Sequence, residues 1–185
     1  MTLLSAYDNR ELLSAFPSSL RDEAISMIAR LPPSEHHTSA FSVLVDRETL
    51  LIPYRVYHDP RLVDRSNLSA LQSTLINCVL TRHHDGFVRG QHIKSIVKLN
   101  YEWIASFVVQ LVGEYVIEII EAIRSDLDSL DEQVYRAFLT SNPLFYALTR
   151  QRVMSYWDCY YRHIRRDDYA AFEVLNRFDR LARPS

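Results

Sequence analysis

Residues 101–125 read YEWIASFVVQLVGEYVIEIIEAIRS. Trp103, Ile104, Phe107, Val108, Leu111, Val112, Tyr115, Val116, Ile117, Ile119, Ile120 and Ile123 leave only a narrow polar stripe. At about 100° per residue, Gln110, Glu114 and Glu121 fall within about 40° of each other, with Glu118 one step aside. The pattern predicts one long helix, apolar almost all round, and therefore central and largely buried. Trp103–Ile123 is also the most apolar window of the chain. Its three glutamates and Gln110 do not suit a bilayer core, so no membrane association is expected.

Working outward, the segments on both sides are helical as well. Leu68, Leu71, Leu75, Cys78, Val79 and Arg82 form one stripe at helical spacing. His83-His84-Asp85-Gly86 interrupts it, and Phe87–Val97 resumes it. Downstream, Asp128 or Ser129 is placed to cap the next helix, with Asp131 and Glu132 in its first turn. Asn142-Pro143 marks a boundary. Leu144–Ile164 reads as a long helix, and Asp167 or Asp168 as the cap of a last one that reaches about Ala182. Toward the N-terminus, Asp8–Phe16 is a short helical stretch. Leu20, Ala24, Met27, Ile28 and Leu31 define an amphipathic helix that Pro32-Pro33 ends.

One β signal breaks the series. FSVLV (41–45) and LLIPYRVY (50–57), separated by Asp46–Thr49, read as a hairpin after the polar loop Ser34–Ala40. Pro53 has no amide donor and points to an edge or a bulge. An isolated hairpin is marginal in water, so this one must pack on helices or on a second copy. The expected fold is mainly α. It has about six or seven helices packed as antiparallel pairs and one β-hairpin near 41–57, all in a single domain. Residues 1–33 supply N-terminal helices, and 67–182 a helical core.

Composition agrees. Hydrophobic residues make up 48% of the 185 and charged residues 24%, enough apolar material for a core. Only three glycines occur, where average usage of about 7% would give roughly thirteen. Gly86, Gly90 and Gly113 form neither a P-loop nor a dinucleotide-binding turn. Cys78 and Cys159 lie far apart in apolar helical patterns, as free thiols of a reducing compartment do. The start MTLLSAYDNRELLSAF has no basic segment, long apolar run or cleavage site, so a signal peptide is not expected and a cytoplasmic location is.

The string LTRHHDGFVRGQHIKSIVKL (80–99) is the most distinctive. Asp85, Val88, Arg89, Ile93 and Ile96 stand in an order that resembles the second helix of a HEAT-type repeat. The resemblance covers about twenty residues and implies helix-pair packing, with HEAT-like stacking as its specific form. His92 stands where that pattern has a small apolar residue, and solenoids need about three repeats.

Three features carry the functional expectations. His83, His84 and Asp85, with His92 further on, offer metal-type ligands. Adjacent residues diverge, however, and no HExxH occurs, so a turn that caps the preceding helix is the ordinary reading. No metal or cofactor is expected. The stripe Glu114, Glu118 and Glu121 needs partners if buried, and arginines are plentiful: nineteen of the twenty-one basic side chains are Arg, as a GC-rich genome would also produce. With His83, His84 and Asp85 these glutamates outline a candidate polar pocket. The third feature is C-terminal. Eleven of twenty-one aromatic residues follow position 134. Arg152, Arg162 and Arg166 share one side of the 144–164 helix and its extension, and with Tyr156 they make a candidate interaction surface.

Charge is uneven along the chain. Residues 102–132 hold eight acids against Arg124, and 136–185 hold nine arginines against five acids. Pairing of the two regions within one molecule would satisfy the Glu stripe. The leading expectation is a protein-interaction or adaptor module, with a protein partner or self-association as a homodimer. The alternatives are an enzyme or small-ligand binder that uses the polar pocket, and nucleic-acid binding through the C-terminal arginines. The overall charge of −2 neither demands nor excludes the last.

Overall fold

The computed structural model describes residues 9–34, 36 and 39–183. The first half of the leader reading, and Glu35, His37 and Thr38 of the 34–40 loop, lie outside the described residues. The described residues are mainly helical, with one two-stranded antiparallel sheet among them. No helix among the described residues is long and apolar enough to cross a membrane. The α-helices are α1 (Arg21–Ile28), α2 (Ala70–Leu80), α3 (Gly86–Ile96), α4 (Glu102–Val112), α5 (Ile117–Ser125), α6 (Glu132–Ser141), α7 (Pro143–Tyr156) and α8 (Ala170–Leu181). The strands are β1 (Ala40–Val45) and β2 (Glu48–Pro53). These are eight α-helices among the described residues, against the six or seven expected.

The expected 101–125 helix accounts for part of the difference, because it is broken. α4 ends at Val112 and α5 starts at Ile117, with Gly113 at the junction. A Cβ on Gly113 would lie 3.3 Å from Thr149 Cγ2 and 3.4 Å from Arg152 Cβ, so the bare backbone lets the end of α4 press against α7. α4 is nonetheless the central element read from the sequence, since every residue from Trp103 to Val112 is buried. The long 144–164 helix is also interrupted. Its α-helical part stops at Tyr156, and Trp157–Tyr161 form a wider π-turn.

Two caps differ from the sequence reading. Asp131 is itself the cap of α6 and accepts from the amides of Gln133 and Val134, because Leu127–Ser129 close a separate 3-10 turn. Arg166–Asp168 form another 3-10 turn, so α8 begins after Tyr169 with no side-chain cap. The N-terminal stretch Asn9–Ala15 is 3-10 rather than α.

The hairpin is tighter than expected. Val45 pairs with Glu48 across the two residues Asp46 and Arg47, both at positive φ (48° and 69°), as a type I′ turn requires. Phe41, Val43, Val45, Leu50 and Ile52 alternate onto the buried face. Asn142, at the junction of α6 and α7, treats β1 as a neighbouring strand would. Its Oδ1 accepts from the Leu44 amide (2.7 Å) and its Nδ2 donates to the Leu44 carbonyl (2.8 Å). The edge of β1 is therefore occupied at that point. β2 ends at Pro53, short of the expected residue 57. Beyond it Val56 makes a lone parallel bridge with His83. One hydrophobic cluster runs from Leu12 to Leu181.

Candidate functional site

Glu114 follows the Gly113 break directly and is only 4% exposed. Burial pushes its carboxyl group up, but the charges of Arg82, Arg55 and Arg89 and the Arg55 hydrogen bonds outweigh this, so the pKa lies below the usual value. Arg55 donates to both oxygens, from Nη1 to Oε1 (2.9 Å) and from Nη2 to Oε2 (2.7 Å), in the bidentate fork that suits a carboxylate. Arg82 Nη2 stands 3.5 Å from Oε1, and Arg89 Nη2 3.7 Å from Oε2.

Local structure fixes each arginine. Arg82 ends the apolar stripe of α2 and is fully buried. Its Nε donates to the Pro53 carbonyl and its Nη2 to that of Tyr54, which ties α2 to the end of β2. The lone bridge continues this link, with the Val56 amide donating to Arg82 O and the His84 amide to Val56 O. Arg89 sits in α3, one turn past the Asp85 cap. Its Nη1 donates to the His83 and His84 carbonyls, both at 2.8 Å. Gly86 brings α3 close to Val116, since a Cβ there would meet Val116 Cγ2 at 3.1 Å. Burial pulls the Arg82 guanidinium down to about 9 and also lowers Arg89, with Glu114 opposing the shift in each. Arg82 Nη1 and Arg89 Nε and Nη2 are buried without a hydrogen-bond partner among the described residues.

Beside this cluster lies a cavity of about 290 Å³, lined by Tyr54, Arg55, Gln110, Gly113, Glu114, Arg152 and Tyr156. Arg152 comes from α7. Its guanidinium lies over the Tyr54 ring, 5.3 Å from the centroid, and Nη2 is 3.4 Å from the Tyr54 hydroxyl. No carboxylate among the described residues pairs with it. Gln110 is buried, and its Oε1 has no partner among the described residues.

The residues singled out from the sequence are thus regrouped. Of the polar-pocket set only Glu114 lines this cavity. Glu118 is exposed on α5, and Glu121 pairs with Arg124 (2.6 Å). His83 is committed at both ring nitrogens: the Asp85 amide donates to Nδ1, so Nε2 carries the proton donated to the His58 carbonyl. His84 stacks on Tyr57, with centroids 4.8 Å apart. Asp85 caps α3 by accepting from the Phe87 amide. Arg89 links this turn to Glu114. Among the described residues no three His, Cys, Asp or Glu side chains are grouped to hold a metal.

The C-terminal set also divides. Arg152 and Tyr156 join Glu114 at the cavity. Arg162 pairs with Asp158 one turn back, and Arg166 lies 4.6 Å from the Phe172 centroid, so neither lines the cavity.

Arg55, Arg89 and Tyr54 were not among the sequence candidates for this site. Arg82 carried a signal, because an arginine on a stripe of Leu75, Cys78 and Val79 is an arginine heading for the interior. Compared with family models, curated proteins and solved structures, the chain matches none.

Proposed function

We propose that the protein binds a small anionic ligand, through a phosphate or carboxylate group, in the cavity between Glu114 and Arg152. The charge balance carries this reading. Arg82 and Arg89 face a single carboxylate, Glu114, which Arg55 already holds bidentately, and no carboxylate among the described residues pairs with Arg152 on the cavity wall. Buried charge without a counter-charge is costly, and guanidinium is the cation best shaped for oxyanions. An anion beside Arg152 would meet this field through a low-dielectric wall, where electrostatic attraction is stronger than in water. Calorimetric titration with inorganic phosphate, pyrophosphate and acetate at constant ionic strength tests it. Saturable binding that Arg152→Gln abolishes is expected, and heat of dilution alone would overturn it.

A second reading, self-association as a homodimer, rests on α7. Leu144 is 86% exposed, and Leu148, one turn on along the same side of the helix, is exposed as well. Monomers sometimes scatter single apolar residues on their surface, but two leucines one turn apart on one helix face suit a partner. A sedimentation mass that falls from dimer to monomer in Leu144→Glu/Leu148→Glu is expected. A wild-type monomer at all concentrations removes this reading. HEAT-like packing is proposed only for the α2–α3 pair. Its support is that Asp85 caps α3 while Arg89 reaches back to the carbonyls of the preceding turn.

A further inference from the structure

We infer that the ligand is a phosphate monoester that carries a planar aromatic group. The inference rests on the anion-site reading above and names the class of molecule. Charge narrows the anion first. A phosphate monoester carries close to two negative charges at neutral pH, a carboxylate one. Arg152 on the wall pairs with no carboxylate among the described residues, and Arg82 and Arg89 stand behind Glu114 with only that one carboxylate between them, so the dianion is the better match.

Size narrows the remainder. At about 290 Å³ the cavity stands at the small end of ligand sites, which run from roughly 300 to 1,000 Å³. It holds the head of a ligand, and the rest must emerge at the rim. Gln110 Oε1, buried and unpartnered on the wall, is an acceptor for a hydroxyl on the part that joins head to tail.

The rim on the α7 side is aromatic. Tyr156 belongs to the cavity wall, and its ring lies 5.9 Å from Tyr115 and 6.2 Å from Tyr160, centroid to centroid. Tyr115 and Tyr160 are themselves 6.3 Å apart. They are 49% and 62% exposed, so their ring surfaces are open to water. This is a held arrangement. The Tyr161 hydroxyl donates to the Tyr115 carbonyl (2.6 Å), and the π-turn 157–161 carries Tyr160 beside Tyr115. Exposed tyrosine rings next to Tyr156, the one of the three that lines the cavity, form a stacking platform for a nucleobase or another flat ring.

The experiment is calorimetric titration of the full chain with four probes: inorganic phosphate, ribose 5-phosphate, adenosine 5′-monophosphate and adenosine. Adenosine monophosphate is expected to bind about tenfold tighter than ribose 5-phosphate, the scale of one base–aromatic stack. Tyr160→Ala is expected to remove that gain and leave ribose 5-phosphate within twofold of wild type. Tyr160 is exposed, so an unchanged circular dichroism spectrum should show that this variant folds. Equal affinity for ribose 5-phosphate and adenosine monophosphate would overturn the aromatic group and leave the anion site standing. Adenosine binding as tightly as its monophosphate would overturn the phosphate. If none of the three phosphates binds, the anion-site reading itself fails.

Discussion

Glu114 and Asp158 are both carboxylates paired with arginine, in opposite settings. Asp158 meets Arg162 one helical turn away, with both side chains more than half exposed. Glu114 meets Arg55, Arg82 and Arg89, between 25 and 59 residues distant in sequence, and almost no water reaches it. Water screens the first pair, and such contacts contribute little. In the second, each charge depends on the others, because the alternative is a naked ion in the interior. Identical chemistry therefore decorates one region and holds the other together. The difference lies in whether the topology or the local helix brings the partners into reach.

The sharpest way to break this comparison is Glu114→Gln, which removes the carboxylate that faces the buried guanidiniums of Arg82 and Arg89. A loss of about 3–5 kcal/mol in urea unfolding is expected, as for removal of one partner from a buried ion pair. A loss below about 1 kcal/mol would mean that water already solvates the cluster. Next in size is the coupling between Arg55 and Glu114. Arg55→Gln should cost markedly less in the Glu114→Gln background, with an interaction energy between about 0.5 and 3 kcal/mol from the double-mutant cycle. Strict additivity would deny that the fork matters.

A titratable group extends the contrast. Burial, with Arg65 and His83 nearby, holds His92 down at about 4, below its usual 6.5. The unfolded chain therefore binds a proton at this site that the folded one does not, and stability should fall as pH drops from about 6.5 toward 4. His92→Gln, which keeps a donor for Asn77 Oδ1, should flatten that fall in denaturant midpoints measured across the range. An unchanged slope would assign the acid sensitivity elsewhere. The smallest effect belongs to the exposed pair: Arg162→Ala should leave the unfolding midpoint where it is, and a clear drop would show Asp158–Arg162 to be structural.

The helical character of the chain, the burial of α4 and the position of the hairpin could all be read from the periodicity of apolar side chains. The break at Gly113 could not, because Val116 and Ile117 continue the helical pattern through it. At Gly113 the end of α4 comes against Thr149 and Arg152 of a distant helix, a contact that local periodicity does not show. The candidate site was half legible for the same reason. Glu114 announced itself as a carboxylate in an apolar helix, and Arg82 as the terminus of an apolar stripe. Arg55 lies in a run that Pro53 had already disturbed. Tyr54 becomes a wall of the cavity only because Arg152, ninety-eight positions away, lies across its ring.

Asn142 has a consequence for how the chain is made. It stands ninety-eight residues after Leu44, whose amide and carbonyl it holds. Synthesis proceeds from the N-terminus at roughly 5–20 residues per second, so the hairpin emerges some 5–20 s before the side chain that closes its edge. During that interval β1 offers open backbone groups to neighbouring nascent chains on the same messenger. Slow translation between the two positions lengthens this exposure, and synonymous codon choice over residues 46–142 should therefore change the soluble yield of a protein whose sequence is unaltered.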